Sequence, residues 1–280
     1  MPAIKKIFTA KPAIEGAGVK LKRVFGFHEA GLLDPFLLLD HFGSDNPDDY
    51  LAGFPWHPHR GIETVTYMIS GSVEHGDSLG NRGVINSGDV QWMTAGSGII
   101  HQEMPRKHYG TMTGFQLWVN LPAGKKMMDP GYRGILSAKI PAVDTGGASV
   151  RLIAGRIGGA EGPVKEIVAE PFFADVSVQP DSSAVIEFGT GLACVAYVFE
   201  GDAFFDPDRK KPVTAFNLAG FGLTDGVEIF TAAAAARVII AAGKPIGEPI
   251  AWRGPIVMNT NEELDLAFRE YMDGTFIKNK

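Results

Sequence analysis

The chain has 280 residues, 45% hydrophobic and 21% charged, with a formal net charge of -6. That composition excludes a disordered chain. Basic residues cluster only in short, scattered runs (Lys5-Lys6, Lys125-Lys126, Arg209-Lys210-Lys211), which excludes a nucleic-acid binder that relies on a basic footprint. The length suits two domains of ordinary size, and 35 glycines with 18 prolines suit an all-β chain rich in tight turns. The single cysteine, Cys194, sits in an apolar run and reads as a buried, inert thiol; no disulfide framework is available. With no signal-peptide pattern and no apolar run long enough to span a bilayer, a cytoplasmic location is expected, or a nuclear one in a eukaryote.

In chain order, His57-Pro58-His59 comes first. Side chains two apart on a strand share a face, so this segment aims two imidazoles the same way. Residues 64–69 are a β-branched and aromatic run ended by Ser70-Gly71. Residues 86–89 form a turn before a strand at 90–94. His101-Gln102-Glu103 then repeats the two-apart geometry with an imidazole and a carboxylate. Residues 115–121 alternate and stop at Pro122. The stretch 122–149 reads as a connection, with a boundary near 135–145 and domains at 1–140 and 141–280. Strand-like runs resume at Val150 and continue to about Ala242. At the end, residues 260–263 read as a capping box. Leu264, Ala267, Phe268, Tyr271 and Met272 follow helical spacing, and Gly274 stops it, so a short amphipathic helix packing on a sheet is predicted.

A weak internal repeat runs through the chain. Residues 67–71 resemble 197–201, and 90–95 resemble 227–232. The second copy has Glu187 and Gly189 where the first has His57 and His59, and Val238 where it has His101. All seven histidines lie between His28 and His108, so one metal per chain is expected, in the first half.

Three imidazoles and a carboxylate suit a divalent first-row metal with positions left for water or substrate. Iron, as Fe2+, is favoured, with Mn, Co, Ni, Cu or Zn also compatible. If the two segments face each other, His57, His59, His101 and Glu103 hold that metal. The remaining histidines, His28, His41, His75 and His108, lie in turn-like or polar settings and read as surface or hydrogen-bonded structural residues. Phe54 and Trp56 read either as core or as the mouth of a pocket for a flat aromatic molecule.

The stretch from Gly53 to Glu63, G-F-P-W-H-P-H-R-G-I-E, is similar to the first cupin motif. Gly88 to His101 resembles the second, with Gly96 where a proline is usual. The strings 57–67, 88–105 and 33–40 look, more narrowly, like the signature stretches of pirins. The resemblance implies an all-β bicupin of two stacked, jelly-roll-type barrels with a short C-terminal helix. It places an iron in the N-terminal barrel on His57, His59, His101 and Glu103, and leaves the C-terminal cupin metal-free. Most cupins use the position of Glu63 as the carboxylate ligand, whereas pirins use that of Glu103. Glu63 shares strand parity with His57 and His59, so it is expected inside, orienting a histidine or pairing with Arg60.

The resemblance implies two functions. One is a quercetin 2,3-dioxygenase type of chemistry on a flavonol-like substrate with O2. There the metal acidifies a hydroxyl, Glu103 is the base, and ring cleavage releases carbon monoxide. The other is a non-enzymatic regulator whose metal redox state alters the surface read by a protein partner. A cupin lyase or isomerase is a third, weaker reading. A monomer is expected, with no membrane and no direct nucleic-acid contact.

Overall fold

The computed structural model describes residues 2–165 and 167–278. Nearly every element is a strand, and the chain forms two compact units. One is built from Lys11–Gly31, Phe36–Ser137 and Ile246–Lys280; the other from Met1–Ala10, Leu32–Pro35 and Ala138–Pro245. The contacts divide the chain differently from the expected halves 1–140 and 141–280. The crossover falls between Ser137 and Ala138, but the last 35 residues (246–280) belong with the first unit's histidines.

Strand β1 (Lys6–Thr9) belongs to the second unit. The strands of the histidine-bearing unit are, in chain order, β2 (Lys11–Glu15), β3 (Val19–Phe25), β4 (Phe36–Ser44), β5 (Phe54–His59), β6 (Ile62–Ser70), β7 (Ser72–Asp77), β8 (Arg82–Asn86), β9 (Val90–Thr94), β10 (Ile99–Pro105), β11 (Met112–Asn120) and β12 (Gly131–Ile135). They form two antiparallel sheets, a seven-stranded one in the order β12-β9-β6-β11-β4-β3-β2 and a four-stranded one in the order β5-β10-β7-β8. The run Thr64-Val65-Thr66-Tyr67 suits a pleated, buried strand, and β6 is buried over most of its length. Gly71, at φ +93°, makes the sharp hairpin into β7; a side chain there would strain the turn.

The two faces of β6 have different duties. Glu63, Val65 and Tyr67 lie opposite Thr94, Trp92 and Val90 of β9. On the other face Thr66 lies opposite Gln91 of β9 and Gln116 of β11. That second face lines the cavity described below.

The second unit holds a seven-stranded sheet whose longest members are Ser183–Glu200 and Asn217–Phe230. Its hydrophobic core includes Val150, Leu152, Phe172, Val176, Ile186 and Phe221. The internal repeat survives locally: Tyr67 and Tyr197 are both buried, and Gly71 and Gly201 both take positive φ. Register does not repeat, because Tyr67 pairs with Val90 while Val227 pairs with Ile186.

The tail supplies a short hairpin (Ala251–Arg253 with Ile256–Met258) and helix α1 (Asn261–Met272). Thr260 and Glu263 make the reciprocal capping pair, the Glu263 amide donating to the threonine hydroxyl and the Thr260 amide to the glutamate. Leu264 and Ala267 bury against Ile256, Met258 and Phe276. Met272 stays exposed, so the apolar face is narrower than its spacing predicts. Among the described residues no helix is long and apolar enough to cross a membrane.

Candidate metal centre

Strands β5 and β10 pair antiparallel with His101 opposite His57 and Ile99 opposite His59. That register turns the two separated segments into one cluster. The ligand atoms of His57, His59 and His101 all lie within 4.8 Å of one another. Ring centroids are 4.4 Å apart for His57 and His101, 4.9 Å for His57 and His59, and 5.1 Å for His59 and His101.

The protonation of these rings can be argued from their partners. His57 Nδ1 lies 2.8 Å from the Pro55 carbonyl and His59 Nδ1 lies 3.0 Å from the Pro255 carbonyl. A carbonyl only accepts, so each Nδ1 carries a proton and a neutral ring leaves its lone pair on Nε2. Those two Nε2 atoms lie 3.1 Å apart. Facing lone pairs at that distance repel unless a proton or a metal cation lies between them. Burial, with His57 beside it, pushes His59 down to about 3 against the pull of the Pro255 carbonyl, which disfavours the proton. His101 is pushed well below its ordinary value by burial and by the neighbouring imidazoles. Both rings are thus neutral at pH 7, the form that binds a metal. His101 is completely buried and, among the described residues, neither ring nitrogen has a hydrogen-bond partner, a cost of about 1–3 kcal/mol for a polar group left without one. A donor set of this kind fits a divalent first-row metal.

Glu103 is two residues past His101 on β10, opposite Phe54 after a one-residue register shift on the β5 side and in regular pairing with His75 of β7. Its carboxylate lines the same cavity, with Oε1 accepting from the Thr66 hydroxyl at 2.7 Å. It is not among the mutually close ligand atoms, which are those of the three histidines.

Glu63 does not do what strand parity predicts. Gly61, at φ +78°, separates β5 from β6 and resets the alternation; a Cβ there would collide with the Val257 carbonyl. Glu63 consequently faces away from the histidines and accepts from Thr94 at 2.8 Å. Burial pushes its carboxyl up, opposed by Thr94, the Trp92 indole and the charge of Arg133. Arg60 pairs instead with Glu270, at 2.8 Å.

Of the other histidines, His28 sits in a short 3-10 turn beside Phe27, and His108 lies 3.2 Å from the Ser70 hydroxyl. His41 and His75 are buried in strands rather than in turns. His75 lies 3.1 Å from Asp77, stacks on Tyr132 and has its ring 5.5 Å from that of His101. Sequence reasoning missed this proximity; the two-apart spacing of His75 and Asp77 was the available signal.

The centre opens into a cavity of about 690 Å3 lined by Phe27, Phe42, Trp56, Trp118 and Trp252 among others. Trp118 meets His59 edge-on at 5.0 Å, Trp252 follows at 5.7 Å and Phe27 at 5.6 Å, so aromatic rings run in contact from the imidazoles to an exposed rim. Phe54 and Trp56 both line this space, with Trp56 half exposed. Pro255 and Trp252 come from the tail, so the site is built from both ends of its unit's sequence.

Two family models match the chain, Pirin over residues 18–119 and the Pirin C-terminal cupin domain over residues 173–277. A relative from Pseudomonas aeruginosa that carries the provisional name of a quercetin 2,3-dioxygenase is 45% identical over 276 residues, covering 97% of this chain and 96% of its own. A pirin-like protein of Caulobacter vibrioides is 43% identical over 275 residues, covering 98% of each. A crystal structure of a quercetin 2,3-dioxygenase from Acinetobacter baumannii superposes with a TM-score of 0.89 at 32% identity, covering 99% of this chain and 98% of that one. The bicupin architecture expected from the cupin-like motifs is the one these matches share, and on that footing the chain belongs to the pirin family.

Proposed function

We propose that the protein is a metal-dependent dioxygenase that opens a ring of a flavonol-like substrate with O2, using iron held by His57, His59, His101 and Glu103. The observation that carries the reading is the cluster of three imidazoles, with ligand atoms within 4.8 Å of one another, beside an aromatic-walled cavity. Iron bound there would supply Lewis acidity toward a phenolic oxygen and redox chemistry toward dioxygen.

The chain's own residues account for the rest. Trp118, Trp252 and Phe27 offer faces on which a flat ring system stacks, and about 690 Å3 is within the range of sites for small organic ligands. His59 and His101 present lone pairs without needing to lose protons at neutral pH. Glu103, in the same cavity, takes the proton of the substrate hydroxyl on its carboxylate. The names of the Pseudomonas and Acinetobacter relatives support the same substrate class. An open, aromatic cavity of this size also favours turnover of a small molecule over the alternative of a redox-sensitive regulator of a protein partner.

The test is anaerobically purified, iron-loaded protein mixed with quercetin and O2, scored for loss of flavonol and release of carbon monoxide, with Glu103→Ala beside it. Turnover that the substitution abolishes supports the dioxygenase. No turnover at full iron occupancy sinks it and moves the weight to the regulator.

A further inference from the structure

The cavity floor is mostly apolar, yet one polar row crosses it. Cross-strand pairing sets Arg23 of β3 opposite Asp40 of β4, Asp40 opposite Gln116 of β11, Gln116 opposite Thr66 of β6, and Thr66 opposite Gln91 of β9. A row of this kind displaces packing surface and carries a desolvation cost, so its members need partners. Arg23 and Asp40 satisfy each other through two hydrogen bonds, at 2.9 and 2.8 Å. The centre of the row engages Glu103.

The Thr66 hydroxyl lies 2.7 Å from Glu103 Oε1 and 2.7 Å from Gln116 Oε1. A hydroxyl has a single proton and cannot donate to two oxygens. The set closes when the Gln116 carboxamide turns its NH2 toward Thr66, a half-turn that leaves the outline of the side chain unchanged. Gln116 then donates to the Thr66 oxygen, and Thr66 donates to Glu103 Oε1. Two donors in series aim their dipoles at one carboxylate oxygen. Thr66 is buried and β-branched, on a strand hydrogen-bonded on both sides, so its hydroxyl has little freedom to swing away.

We infer that Thr66, backed by Gln116, is a positioning residue that holds the Glu103 carboxylate by Oε1 and presents its other oxygen to the metal and the substrate. The inference rests on the four-ligand reading above. It gives the polar row a purpose: Glu103 projects from the four-stranded sheet, and its Oε1 is held from the facing seven-stranded sheet by Thr66.

The test uses the full chain loaded anaerobically with Co2+, whose visible bands report the donor set, together with Co2+ affinity by titration. Thr66→Val keeps the shape of the side chain and removes the hydroxyl; Thr66→Ser keeps the hydroxyl; Glu103→Ala removes the carboxylate. The expected result is that Thr66→Val shifts the bands and weakens affinity about tenfold, in the range found for residues that orient metal ligands, while Thr66→Ser restores both. A merely structural threonine would leave the spectrum alone. Gln116→Met breaks the same chain from its other end and serves if Thr66→Val does not fold. A Thr66→Val protein with parental spectrum and affinity, beside a Glu103→Ala protein in which both change, overturns the inference and leaves the metal reading standing. A Glu103→Ala protein with parental spectrum and affinity removes Glu103 from the ligand set and overturns both.

Discussion

His101 burdens the fold in a way that a bound metal would relieve. Its ring is buried with no partner on either nitrogen among the described residues, so in metal-free protein it contributes desolvation cost without a compensating bond. Replacing it with leucine is expected to leave the metal-free protein at least as stable in urea while metal content, measured by elemental analysis, falls to background. Loss of stability without loss of metal would contradict the assignment. Arg60 is the opposite case. It is buried beside His59, donates to the carbonyls of Ser97 and Phe276 at 2.7 and 2.9 Å, meets Glu270 at 2.8 Å and lies 4.2 Å from the centre of the Phe276 ring. Glu270→Ala leaves that guanidinium buried with its counter-charge gone, for an expected cost of about 3 kcal/mol in the unfolding free energy obtained from urea titration. Metal stoichiometry should be unchanged, because Glu270 touches none of the three histidines.

At the scale of the element, the join between β5 and β6 is where the tail is fastened. Lys126 is almost fully buried and its ammonium donates to Gly61 O at 2.9 Å, Asn120 Oδ1 at 2.7 Å and Val257 O at 3.1 Å. Three donors meet three acceptors, two of them carbonyls that no side chain could replace. Lys126→Met strands these acceptors and is expected to cost about 3 kcal/mol. Burial also pushes the lysine down to about 8, with Glu248 and Glu263 pulling the other way, against 10.5 for the free side chain. Between those two pH values the unfolded chain holds a proton that the folded one has released, so stability contributed by this group rises from pH 8 toward 10.5. Below pH 8 both states are protonated and the cost of burying the charge is present in full. The upward slope should vanish in Lys126→Met, measured by urea unfolding across that range; a slope shared by both proteins would assign it to other groups. Elements of this kind also mark what the sequence could say. The two-apart spacing of His57 and His59, the run of β6 and the capping pair of α1 were legible because each depends on neighbours in sequence. Glu63 was misplaced because Gly61 resets strand parity, and its reason for doing so is a carbonyl nearly two hundred residues away. The contact of Thr66 with Glu103 depends on one sheet facing another, which no local pattern encodes.

The whole molecule carries the same lesson in its division of the chain. Residues 246–280 follow the second unit in sequence but belong to the unit with the histidines, and their role there is specific. The Pro255 carbonyl accepts from His59 Nδ1 and so sets which nitrogen of that ring faces the cluster. One residue on, Ile256 bridges to Arg60, and the Val257 amide donates to the Arg60 carbonyl at 3.1 Å. A metal held by His59 would therefore be expected to stabilise the hairpin at 251–258, since opening that hairpin would free the imidazole to rotate. A ligand that binds only the closed form adds stability to every segment that must open with the site, by about 2.7 kcal/mol at a hundredfold excess over Kd. Hydrogen exchange followed by mass spectrometry, with and without anaerobic Fe2+, should show new protection in peptides covering β5, β10 and residues 251–258. The strands Ser183–Glu200 and Asn217–Phe230, which offer no histidine, should exchange at unchanged rates. Protection that stopped at residue 140 would mean that the tail merely lies against the site. Protection that reappears after 250, with the intervening strands silent, would make the tail part of the metal centre.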